Sequence, residues 1–104
     1  QGEQGAIELL ERVVARNPLD GEALLMLADA RNGQKDFEHA RLFYERAKKI
    51  PSTQYRAMLG SGKMLVANQR YNLALQKLKE ALELEWSDAL VKYITAVEGL
   101  AEAW

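Results

Sequence analysis

The chain has 104 residues, 48% hydrophobic and 28% charged, with a formal net charge of −1 at pH 7 and no cysteine. That is one small domain with enough apolar material for a core, which excludes an intrinsically disordered chain; the missing thiols exclude a disulfide framework, cysteine catalysis and cysteine-ligated zinc. No apolar run approaches the ~20 residues of a membrane-spanning helix, and two prolines and seven glycines leave few breaks.

The first predicted helix covers about residues 3–16, with Ile7, Leu10, Val13 and Val14 at helical spacing, and Asn17-Pro18 ends it. Asp20 is placed to cap the second helix, whose stripe is Leu24, Leu27 and Ala28 and whose end lies near Gly33. Asp36 caps a third helix from Phe37 to Ile50, and Pro51 stops it. Ser52 or Thr53 starts the fourth, which runs to about Asn68. Tyr71 to Leu84 is the fifth, and Ser87 caps the sixth, Asp88 to about Ala103. The expected fold is all-α, with six helices and no strand. Arg41 with Glu45, Glu45 with Lys49, and Lys79 with Glu83 are spaced to pair along exposed helix faces.

The small net charge conceals a division into thirds. Residues 1–34 carry three Arg and six acids, residues 35–70 eight Lys or Arg and three acids, and residues 71–104 three Lys and six acids. The basic middle third reads either as neighbouring helices complementing one another or as an anion-seeking patch. A sequence pI of 5.9 speaks against a nucleic-acid footprint, which normally raises a domain above about 9.

Three segments align at a shift of 34 residues: AIELLERVVARNP from Ala6, ARLFYERAKKIPS from Ala40 and ALQKLKEALELEW from Ala74. In each, the alanine is followed at offset 4 by a large group (Leu10, Tyr44, Leu78) and at offset 7 by a smaller one (Val13, Ala47, Ala81), all on one helical face. A second set shifts equally: Leu24, Leu27, Ala28; Met58, Ser61, Gly62; Lys92, Thr95, Ala96. Small residues fixed on alternating helices allow the close backbone approach of a packed antiparallel pair.

This helix–turn–helix period resembles the tetratricopeptide repeat family. ALELEW is similar to the family's repeat ending and KDFEHARLFYERA to the start of its second helix. The resemblance divides residues 1–104, as one domain, into a second helix (3–16), two full repeats (21–52 and 55–86) and a terminal first helix (88–103). It implies a right-handed superhelix of antiparallel helices. The glycine that family members carry between helices is replaced by Lys35 and Gln69, and the closing proline is displaced to Pro51 or replaced by Trp86. Leu10, Val13, Leu24, Leu27, Tyr44, Ala47, Met58, Leu65, Leu78 and Ala81 are the candidate core.

The resemblance further implies that first helices line a concave groove that holds partner peptides or helices. Carried over by phase, the groove residues are Glu22, Leu25, Met26, Asp29 and Asn32 from one helix, Arg56, Leu59, Gly60, Lys63 and Val66 from the next, and Leu90, Tyr93, Ile94 and Val97 from the last. Arg56 and Lys63 lie centrally and would select an acidic element. Leu90, Tyr93, Ile94 and Val97 have a second reading, as a face for the next helix of a longer protein. A family subset clamps chaperone tails with groove asparagines; those positions here read Met26 and Gly60, so no such adaptor is expected.

Other signals fall short. Gly60-Ser61-Gly62-Lys63 resembles the end of a phosphate-binding loop, but position 57 is Ala57, position 64 is Met64 and no strand precedes it. His39 is the only histidine. No Ser, Lys or Asp has an activating partner, so no catalytic, metal or cofactor site is expected. Trp86 and Trp104 suit either burial or partner contact. The expected function is a non-catalytic protein-interaction module or scaffold, the rival being self-association through the end helices, 3–16 with its Ile7, Leu10, Val13 and Val14, and 88–103. Gln1 at the start suggests a processed or excised piece of a larger, soluble protein, cytoplasmic or periplasmic.

Overall fold

Side-chain caps and turns divide residues 2–103, the residues that this computed structural model describes, into six helices. They are α1 (Glu3–Arg16), α2 (Gly21–Gly33), α3 (Phe37–Lys48), α4 (Gln54–Ala67), α5 (Tyr71–Leu84) and α6 (Asp88–Ala103), with no strand among the described residues. Asp20, Asp36 and Ser87 each accept a hydrogen bond from the backbone N–H three residues on, at 3.1, 3.3 and 3.2 Å, satisfying orphan donors of the first turn. Helix α3 ends two residues before the expected Ile50. The Thr53 hydroxyl donates to the carbonyls of Ala47 (2.8 Å) and Ile50 (3.3 Å), and residues 49–53 wind into turns. Trp104 lies outside the described residues.

Two turns repeat at the 34-residue period. In the first, Lys35 N–H donates to Asn32 O and Asp36 N–H to Arg31 O, both at 2.9 Å. In the second, Gln69 N–H donates to Val66 O at 2.9 Å and Arg70 N–H to Leu65 O at 2.8 Å. This paired closure needs a left-handed residue at its centre, usually glycine; Lys35 and Gln69 adopt it with φ of 60° each.

Each turn folds a helix pair back on itself, α2 on α3 and α4 on α5, and the pairs stack through α3 and α4, with α1 on α2 and α6 on α5 closing the row. Stacking elongates the molecule: it measures 42 × 27 × 18 Å, with a radius of gyration of 14.1 Å, against about 13 Å for a compact domain of this length. Ala28, Ala40, Ala47, Ala74 and Ala81 are fully buried where helices approach. Glycine goes further at α4. A Cβ on Gly60 would stand 2.5 Å from Tyr44 Cε1, and one on Gly62 2.6 Å from Leu78 Cδ2. The glycines are thus sites of close packing, and no strand leads into them.

Of the candidate core, Leu24, Leu27, Tyr44, Ala47, Leu78 and Ala81 are buried, whereas Leu10, Val13, Met58 and Leu65 are partly buried against them. Ile7 and Val14, offered as part of a free end face, are buried instead because α1 turns them onto α2. Ala6 is exposed, unlike its equivalents Ala40 and Ala74; so is Ala96, unlike Ala28 and Gly62. The charge pairing also differs from expectation: Glu45 pairs with Lys48 and with Lys77 of α5, and Lys79 with Glu98 of α6. Lys48 lies one turn along the same helix, whereas stacking brings Lys77 and Glu98 within reach from neighbouring helices, which one-helix spacing does not register.

Candidate binding face

Because successive repeats are 34 residues apart, equivalent positions on α2, α4 and α6 form rungs. The rungs of interest are Glu22, Arg56 and Leu90; Leu25, Leu59 and Tyr93; Met26, Gly60 and Ile94; and Asp29, Lys63 and Val97. On the first rung, both terminal nitrogens of Arg56 donate to the Glu22 carboxylate, Nη1 at 3.0 Å to Oε1 and Nη2 to Oε2. The bond holds Glu22 below the usual carboxylate range and raises Arg56. Arg56, expected as a free anion selector, is therefore already engaged by a carboxylate of its own chain.

Asp29 accepts a hydrogen bond from the Tyr44 hydroxyl at 2.5 Å. Tyr44 belongs to α3 and reaches the face by passing beneath Gly60, whose missing side chain makes the room. Burial, then the bond to Asp29, pushes the phenol well above its ordinary range. Neither the ionised Glu22 nor the neutral Tyr44 is poised to exchange a proton near pH 7.

The other expected groove residues divide by exposure. Met26 and Lys63 are exposed; Leu59, Gly60, Val66 and Tyr93 are half-buried; Asn32 is half-buried with its Oδ1 covered and unpartnered among the described residues. Leu25 (8% exposed), Leu90 (5%), Ile94 (6%) and Val97 (1%) are buried in the stack. The last three pack with Leu78 and Ala81 of α5, so α6 directs its apolar stripe into this chain's own core rather than toward a partner.

Between α4 and α6 lies a cleft of 310 Å³ lined by Tyr55, Leu59, Lys63, Ser87, Ala89, Leu90 and Tyr93. The Lys63 ammonium stands 5.8 Å from the centre of the Tyr93 ring, within cation–π range. Burial raises the Tyr93 phenol. Tyr55 and Ala89 were absent from the expected site. The signal for Tyr55 is its spacing, since 55, 59 and 63 recur every four residues along one stripe of α4. Among the described residues, no group of three or more His, Cys, Asp or Glu is placed to hold a metal ion, and no helix is long and apolar enough to cross a membrane.

A family model of the tetratricopeptide repeat matches residues 4–55, half of the chain. The chain belongs to the tetratricopeptide repeat family. Tetratricopeptide repeats generally mediate protein–protein interaction and are typically non-catalytic. No curated protein matches the chain. Within the tetratricopeptide frame the left-handed Lys35 and Gln69 occupy the turn position where the family usually has glycine.

Proposed function

We propose that this tetratricopeptide chain is a non-catalytic interaction module that docks a segment of a partner protein across the face of α2, α4 and α6. The observation that carries the reading is the apolar cleft under Tyr55, Leu59 and Tyr93, which lies on that face beside an exposed lysine. Exposed Met26 extends the apolar surface onto α2. Apolar contacts would supply most of the affinity, and the positive charge of Lys63 would favour an acidic element and fix its register.

The test is selection of peptides from a random displayed library on the wild-type chain. Selected peptides should lose binding to Met26→Glu and to Lys63→Glu, and keep it on Leu42→Glu, which alters an exposed leucine of α3. Peptides that follow the Leu42 change and ignore the other two would overturn the reading.

A further inference from the structure

We propose that the cleft between α4 and α6 is an anchor pocket for one bulky apolar side chain of the partner, with Lys63 at its rim taking a carboxylate two residues from that anchor. This rests on the docking reading above and specifies the partner's chemistry. The cleft's 310 Å³ lies at the small end of the range for ligand sites, which suits a single large side chain. Its lining is apolar where a side chain would enter: the Tyr55 and Tyr93 rings, Leu59 and Leu90, with exposed Ala89 among the lining residues.

Charge decides the second element. Of the two cations expected on this face, Arg56 is held by Glu22, whereas Lys63 has no carboxylate within ion-pair distance among the described residues. It rests over the Tyr93 ring, which orients the ammonium while leaving donors free for an incoming oxygen. A basic segment would be repelled at the same point. At Asp29, the residue equivalent to Lys63 on α2, one carboxylate oxygen accepts from the Tyr44 hydroxyl.

Spacing sets the register. Leu59 and Lys63 are four residues apart on α4, about 6 Å along the helix axis. In an extended segment, residues i and i+2 are about 6.6 Å apart and point to the same side. The partner pattern is therefore an acidic residue, any residue, then a large apolar one, or its reverse.

Fluorescence anisotropy with short labelled peptides tests this. One probe carries Glu-Gly-Phe between Gly-Ser flanks, a second replaces Glu by Gln, and a third replaces Phe by Ala. The first should bind wild-type chain several-fold more tightly than the second, which cannot form the ion pair with Lys63, and at least about tenfold more tightly than the third, which has no ring to bury in the cleft. Ala89→Trp, at an exposed position, should fill the mouth and weaken the first probe by about tenfold while its melting curve stays that of wild type. Lys63→Glu should abolish the preference for Glu over Gln, and Lys63→Arg should retain it. Equal binding of the three probes, no binding of the first, or an Ala89→Trp variant that binds like wild type overturns the pocket. Library-selected peptides that bind the face without the acidic-x-apolar pattern overturn the pocket and leave the docking face standing; a library that yields no binder to the face overturns both.

Discussion

Lys35 and Gln69 carry backbone strain that a glycine at the same left-handed turn position would not. Each sits at φ of 60°, where a side chain meets the following carbonyl at a cost of roughly 1–2 kcal/mol, and each is exposed. Lys35→Gly and Gln69→Gly should each raise the urea midpoint, by about 1 kcal/mol in stability, without changing the slope of the transition. A lower midpoint would mean that side-chain interactions outweigh the strain. Both positions were legible in the sequence as the missing glycine of a turn. What could not be read was whether the turn or the residue would give way, because that depends on the two backbone hydrogen bonds that close it. Arg56 and Glu22 show the opposite case. Their 34-residue separation puts them on one rung, but pairing was invisible until the rung placed them side by side.

Among elements, the outer helices differ from the inner ones in one face each. Ala40 and Ala74 are fully buried, so Ala40→Leu or Ala74→Leu should overpack a helix junction and cost about 1–3 kcal/mol in denaturant unfolding. Ala6→Leu occupies the same repeat position but faces solvent, so it should change stability by less than about 0.5 kcal/mol. Comparable losses at all three would contradict the exposed face of α1. Helix starts were readable from Asp20, Asp36 and Ser87, because caps act locally, whereas Pro51 marked the end of α3 only to within two residues. The phases of the first and last helices were read less well. Leu90, Ile94 and Val97 share their rungs with groove positions, yet they are buried against α5, and repeat phase does not specify how far α6 rolls onto the helix before it.

At the scale of the whole molecule, the exposed faces around Ala6 and Ala96 pose the question of self-association. Hairpin helices run antiparallel, so a second copy completing a hairpin from α6 and α1 would set Lys92 in the N-terminal half of α6 against the C-terminal half of α1, which carries Arg12 and Arg16 beside a Glu11 already held by Arg31, with Asp88 the one acid that α6 brings there. Like charges at that junction oppose the contact. The chain should sediment as a monomer at tens of micromolar in low salt, and a concentration-dependent dimer would show that the apolar faces prevail over the charges. The stack itself was readable from the period, since each repeat must bury its face on a neighbour; the cleft was not, because it depends on the gap left between α4 and α6.

The first rung also bears on mechanics. Glu22 grips Arg56 between α2 and α4, but the next residue on that rung is Leu90, so among the described residues no equivalent ionic clasp ties α4 to α6. Added salt screens an exposed pair of this kind and so weakens one contact of the first junction, whereas the second, where the cleft lies, is held by apolar packing with the Lys63–Tyr93 contact across it. The two junctions of the stack are thus unequal: the first carries an exposed ionic contact that weakens as salt rises, and the second carries the cleft, whose packing changes with what fills it.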